Sequence, residues 1–134
     1  MIEAHWDVDT VRIFLHILGA AVWVGGQVVV AAIVPALRKA HSEATQMAAQ
    51  QFAKIAWPFF ALAVLTGLWN LLDIEFENAA NSYHITLTIK MVLVIATGVA
   101  AWLHTKATQR RNIAIWGSVS GTTAIGALLT GVAL

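Results

Sequence analysis

The chain has 134 residues, 59% of them hydrophobic and 11% charged, with a formal net charge of +1; soluble domains carry roughly 25% charged residues, so the composition points to a lipid bilayer and the charge gives no reason to expect nucleic acid. Zero cysteines exclude disulfides, thiolate metal sites, iron–sulfur clusters and a nucleophilic thiol. Four spans of about 20 residues take up most of the length, so residues 1–134 read as one membrane domain.

The N-terminal arm, MIEAHWDVDT, carries Glu3, His5, Asp7 and Asp9. It is acidic where a signal peptide is basic, and the apolar stretch after it is too long for a signal core, so the first helix is expected to stay. Asp9 or Thr10 is the expected cap, because either side chain accepts a bond from the free N–H groups of the first turn. Helix 1 is predicted over about 10–37, interrupted by Arg12, His16 and Gln27 as its strongly polar residues, with Pro35 as a kink or terminator near its end. A polar connection over 38–50 follows, its later half helix-friendly. Helix 2 is placed at about 52–72, with Pro58 near its start. The acidic loop with Asp73, Glu75 and Glu77 reads as solvated. Helix 3 is placed at about 84–106 and is interrupted by Lys90; the segment TQRRN turns the chain into helix 4 at about 113–134. Helix 4 is rich in small residues, with Gly117 and Gly121 one turn apart, and Ser120 and Ala124 likewise. That spacing permits close helix approach, so a homo-oligomer or a larger membrane complex is a partner this helix would suit.

Charge sets the expected orientation. Arg38, Lys39, Lys106, Arg110 and Arg111 fall in the first and third connections, whereas the N-terminal arm and second connection are acidic. The positive-inside rule then places both termini outside the cytoplasm. The fold class expected is all-α, an antiparallel four-helix bundle integral to the bacterial inner membrane.

In that topology His16 and Lys90 each lie about six residues, or ~9 Å, beneath the outer surface. Thr66 and Asn70 fall at similar depth, and His84 lies at the mouth. His16, Gly19, Ala20, Trp23, Gly26 and Gln27 share one helical stripe, and Lys90, Val94, Thr97, Ala101 and His104 share another. An ionisable group in a span faces protein or water rather than lipid, so His16 and Lys90 are the candidate site residues, with Trp23 and Gly19 beside them. Lys90 has a second reading, in which it snorkels to the interface, and His16 has one as an imidazole bonded to a carbonyl or water. His41 and His104 read as interfacial, as do Trp69, Trp102 and Trp116. Imidazole is a common ligand for copper, zinc and haem iron. No two histidines stand at i, i+4, so a closed tetrahedral zinc site is not expected; His16, with His84 as a further metal candidate, leaves copper or haem b as the cofactor. Haem needs one axial side chain and small residues where the macrocycle presses on a helix, and residue chemistry favours it slightly over copper. Ser-His-Asp constellations, phosphate-cradling loops and paired intramembrane carboxylates are lacking.

The segments FLHILGAAVWVGG, QFAKIAWPFFALAVLTGL and TLTIKMVLVIATGVAAW together resemble the membrane domain of the bacterial copper-resistance D family over roughly residues 12–106. His16, Trp23, Gly25, Gly26, Thr66, Gly67 and Lys90 occupy places that match that family's pattern. The resemblance implies a metal-handling protein that assists copper passage or homeostasis. A more distant resemblance, to the four-helix type of bacterial protoporphyrinogen oxidase, rests on the same His and Lys and implies haem b at His16, with electron transfer or porphyrinogen oxidation as the activity and Lys90 near a propionate or the iron. The chain departs from the first group in being a single four-helix unit with NSYHITLTIK before helix 3, and from the second in the late position of Pro35. A third reading is a small accessory subunit in which the polar pair is structural.

Overall fold

A computed structural model describes all 134 residues. The expectation of an all-α fold holds: the chain consists of α1 (Val8–Ala40), α2 (Ser42–Leu71), a short 3-10 turn (Phe76–Asn78), α3 (Asn81–Lys106) and α4 (Arg110–Ala133). All four helices are long and apolar enough to cross a membrane. They form two compact units, Met1–Ile74 and Glu75–Leu134, each an antiparallel helical hairpin. Only four hydrophobic residues are buried, Trp23, Ala56, Ala100 and Ala124. Burial of apolar surface is therefore not what closes either hairpin, and the long row of exposed Val, Ile, Leu and Phe side chains suits an apolar surrounding. In such a medium close packing and interhelical hydrogen bonds replace the hydrophobic effect as the glue.

In the first hairpin α1 begins earlier than the sequence suggested, so its cap is Asp7 rather than Asp9 or Thr10. The Thr10 backbone N–H donates to the Asp7 carboxylate at 2.8 Å, and the Thr10 hydroxyl lies 2.7 Å from the same oxygen. The backbone bond first, and the hydroxyl after it, hold the Asp7 carboxyl below its ordinary range. A depressed carboxylate adds stability above its unfolded pKa, and that contribution fades as pH falls through the lowered folded value. Pro35 neither ends nor breaks α1, which continues to Ala40. The 38–50 connection shrinks to one residue: His41 is extended (φ −151°, ψ 102°), donates its N–H to the Leu37 carbonyl at 2.7 Å and is followed at once by α2. The Ala- and Gln-rich run after it has the propensity to be helical, which leaves Pro58 in the middle of α2 rather than at its start.

The α1–α2 seam follows the stripe read from sequence. A methyl at Gly19 would meet the Phe59 carbonyl oxygen at 2.7 Å and the Ala63 nitrogen at 2.8 Å, so the helices touch backbone to side here. Gly26 lies against the Phe52 ring. Trp23 packs on Phe60 (centroids 4.4 Å) and Trp57 (5.2 Å). The positions 12, 16, 19, 23 and 26 recur every three or four residues, the spacing of a left-handed helix pair.

The second hairpin packs α3 on α4 by the same rule, at Lys90, Leu93, Thr97, Ala100 and His104. Its midpoint is a reciprocal polar clasp: the Thr97 hydroxyl donates to the Ser120 carbonyl at 2.8 Å and the Ser120 hydroxyl to the Thr97 carbonyl at 3.2 Å. Outlying threonines return their hydroxyl protons to their own helix, Thr122 to Ser118 and Thr130 to Gly126 among them, which satisfies donors that hydrocarbon would not.

Gly19 and Gly25 make a matched pair of tests. Gly19→Ala should cost about 1–3 kcal/mol, as overpacking of a tight contact does, and lower the thermal unfolding midpoint in detergent; Gly25→Ala, with nothing within 4 Å of the added methyl, should leave the midpoint unchanged or raise it slightly. Equal effects of the two would contradict the close contact at Gly19.

Candidate functional site

His16 sits half-buried on the α1 face that meets α2. Its Nδ1 lies 2.7 Å from the Ala63 carbonyl oxygen and 3.2 Å from the Thr66 hydroxyl. A carbonyl only accepts, and the Thr66 proton is directed to the Leu62 carbonyl at 2.6 Å, so both neighbours require Nδ1 to carry the hydrogen. The neutral ring then has its lone pair on Nε2. The ring rests on Gly67, where a methyl would meet Cε1 at 2.9 Å. Thr66, Gly67 and the Ala63 carbonyl are thus one seat, built by residues one turn apart on α2, and the imidazole is held in one tautomer and one orientation.

One turn toward the chain start, Arg12 is buried at 7% exposure. Its guanidinium forms an ion pair and hydrogen bond with Asp73, a second pair with Asp9 at 3.2 Å, and stands 5.6 Å from the centre of the Trp69 ring. Asp73 is therefore not part of a merely solvated acidic run, and Trp69 is more than an interface residue. Asn70, between these two on α2, has a buried Oδ1 without a hydrogen-bond partner, and so does the Nε of Arg12. Reading the acidic loop by its local charge missed this cluster. In an antiparallel hairpin where position 16 meets 67 and position 19 meets 63, position 12 falls opposite about 70–71, and the long arginine side chain reaches on to Asp73.

Trp23 and Gly19, expected beside a cofactor, serve the α1–α2 seam. Gly26 is likewise covered by Phe52, whereas Gly25 faces open space. A macrocycle at His16 must then approach from a face of the hairpin other than this seam. The donor fits haem well, as one imidazole fixed through Nδ1 with its lone pair on Nε2; the crevice inferred from the glycines is taken up by α2.

Lys90 belongs to the second hairpin and lies against α4, where a methyl on Gly131 would meet Nζ at 3.2 Å. This puts the ammonium at the last turn of α4, where the negative end of the helix dipole favours a cation. His84 donates from Nε2 to the Phe76 carbonyl at 3.1 Å and stands near the Phe76 and Tyr83 rings, so it ties the 3-10 turn to α3. His16 and His84 lie in different hairpins. Three or more His, Asp or Glu side chains converge nowhere in a way that could hold a metal ion. His104, read as interfacial, is also engaged with α4: its Nδ1 lies 2.7 Å from the Ile113 carbonyl and its ring rests on Gly117.

No family model matches the chain, and neither do curated proteins or solved structures. The site therefore stands on its own geometry.

Removing the Asp73 charge should loosen the first hairpin. Asp73→Asn leaves the buried guanidinium with Asp9 as its one carboxylate, and a lost bond to a charged group costs about 1.5–3 kcal/mol. Glu75→Gln, in the same loop but bonded to Asn78, serves as the control; if both lower the unfolding midpoint equally, the Arg12–Asp73 pair is not the fastening.

Proposed function

We propose that this is a haem b protein integral to the bacterial cytoplasmic membrane, with His16 as an axial ligand through Nε2. One observation carries the reading: the Nδ1–H bond to the Ala63 carbonyl at 2.7 Å. That bond selects the tautomer, aims the ring and raises the basicity of Nε2, which is how proteins commonly hold a ligating imidazole. Haem asks the chain for a single axial side chain, whereas an ion enclosed by protein asks for three or four; a lone, well-oriented imidazole matches the first demand. When bound, haem b would supply one-electron chemistry, either electron transfer or oxidation of a porphyrinogen. The chain's part is to fix the axial nitrogen, with Thr66 and Gly67 keeping the ring from rotating.

Copper passage is the second reading. It is favoured by the resemblance of the segments around His16, Thr66 and Lys90 to the copper-resistance D family, and by the same Nε2 lone pair, which is also a donor for a copper ion in transit. Under either reading the basic first and third connections face the cytoplasm and both termini lie outside.

An absorption spectrum of protein purified in detergent from haem-replete cells should show a Soret band that is lost in His16→Gln, while Gly67→Ala, which presses on Cε1, should weaken or shift it. A wild-type spectrum without that band, together with a stoichiometric copper content that falls in His16→Gln, would replace the first reading with the second. The orientation is checked separately, since the chain has no cysteine of its own: a single cysteine at Glu3 or Glu77 should react with an impermeant maleimide on intact spheroplasts, and one at Ser42 or Gln109 should react only after lysis.

A further inference from the structure

The second hairpin holds its carboxylate side chains at one end and most of its cations at the other. After Glu77 the sequence contains no Asp or Glu, whereas Lys90, Lys106, Arg110 and Arg111 follow. The last three fall at the turn between α3 and α4 and are exposed, and the ion pairs of the chain are those of Arg12 alone. Glu75 and Glu77 precede α3, whose 26 residues put about 39 Å between them and the turn. That distance is several screening lengths at physiological ionic strength, so this hairpin cannot neutralise its own turn. The corner of the first hairpin differs, because Arg38 and Lys39 there have Glu43 close by in the chain.

Beneath the turn the surface is apolar. Ile95, Val99, Trp102 and Lys106 recur every three or four residues and so form one stripe of α3, opposite the seam through Thr97, Ala100 and His104. Ile95, Val99 and Trp102 are each more than half exposed, and the Lys106 ammonium stands 5.9 Å from the centre of the Trp102 ring. On α4, Arg111 and the exposed Ile115 are likewise one turn apart. From Ile95 to Lys106 the stripe is ~16 Å long, about half of a ~30 Å hydrocarbon slab and hence the depth of one leaflet. Cations at the rim, an indole where such rings settle and a leaflet's depth of aliphatic surface below match a phospholipid from phosphate to acyl chain.

We propose that the α3–α4 turn binds an anionic phospholipid, with Lys106, Arg110 and Arg111 on its phosphate headgroup and the Ile95, Val99 and Trp102 stripe along an acyl chain. The positive-inside rule accounts for the sign of the turn, but it requires neither the lack of a neighbouring carboxylate nor the apolar track below. A free phosphate would use the cations and leave that track empty. The site involves no cofactor, so it stands or falls apart from the reading of His16.

Native mass spectrometry of the full chain released from neutral detergent, offered a phosphatidylglycerol and a phosphatidylcholine with the same acyl chains, tests this. The wild type should retain phosphatidylglycerol in preference. A cation near an anionic lipid strengthens attachment about five-fold, so the triple variant Lys106→Gln, Arg110→Gln, Arg111→Gln should lower the apparent affinity about 100-fold. The charge-keeping variant Arg110→Lys, Arg111→Lys should retain the preference, and so should Arg38→Gln, Lys39→Gln at the other corner. Circular dichroism in detergent verifies folding; if the triple variant does not fold, the three single variants take its place, each expected to lose about five-fold. Equal retention of the two lipids by the wild type would overturn the proposal, as would a preference that survives loss of the turn cations or disappears only with Arg38 and Lys39. Inorganic phosphate is the remaining arm: displacement of phosphatidylglycerol by phosphate at matching concentration would assign these cations to a free anion and overturn the lipid site.

Discussion

A histidine Nδ1–H given to a carbonyl on the neighbouring helix is the constraint around which each hairpin is arranged. Within hydrocarbon an unsatisfied polar group costs several kcal/mol, so the bond at His16 is close to compulsory, and it can form only if the helices approach closely at that height. Gly67 and Gly19 make the approach possible. The aromatic packing of Trp23 on Phe60 and Trp57 continues the same contact toward the turn. The second hairpin solves the same problem with His104 at one level and the Thr97–Ser120 clasp at another.

The polar groups are thus doing structural and chemical work with the same atoms. Fixing Nδ1 to a carbonyl glues two helices and, by the rule that a neutral imidazole has one donor and one acceptor, decides which nitrogen carries the lone pair. Arg12 adds a charged fastening just above, and its buried guanidinium is tolerable because Asp73, Asp9 and the Trp69 face surround it. Breaking such a pair is far costlier than never having had it, which explains why a residue so expensive to place in a membrane helix sits at the hairpin's open end.

Much of this was legible in the chain. Four spans follow from apolar length, and the stripe through His16, Gly19, Trp23 and Gly26 follows from spacing, because those residues are small, aromatic or polar where lipid-facing ones are branched aliphatics. On α3 the sevenfold step through Lys90, Thr97 and His104 was also visible; the intervening contacts are Leu93 and Ala100 rather than Val94 and Ala101, a shift of one residue that spacing alone does not resolve. Helix 2 is placed from about 52 by its apolar run, with a helix-friendly stretch before it that could extend it; α2 in fact begins at Ser42, because Ala and Gln are good helix formers at any polarity. The Arg12–Asp73 pair was hidden because its partners are 61 residues apart and become neighbours only once the register of the hairpin is known. Iron and copper both accept a single imidazole as donor, so residue type alone does not separate the two proposed readings.

The one-residue corner at His41 has a geometric outcome. Thirty-three residues of α1 make a rod of about 50 Å, against a hydrocarbon slab of ~30 Å and helix inclinations that reach about 40°. Even at that steepest lean the slab spans only ~39 Å of rod, so some two turns must emerge. With no flexible connection at its apex, whatever emerges at the His41 end is a stiff pair of helices rather than a loop, and its polar residues there are Arg38, Lys39 and Glu43.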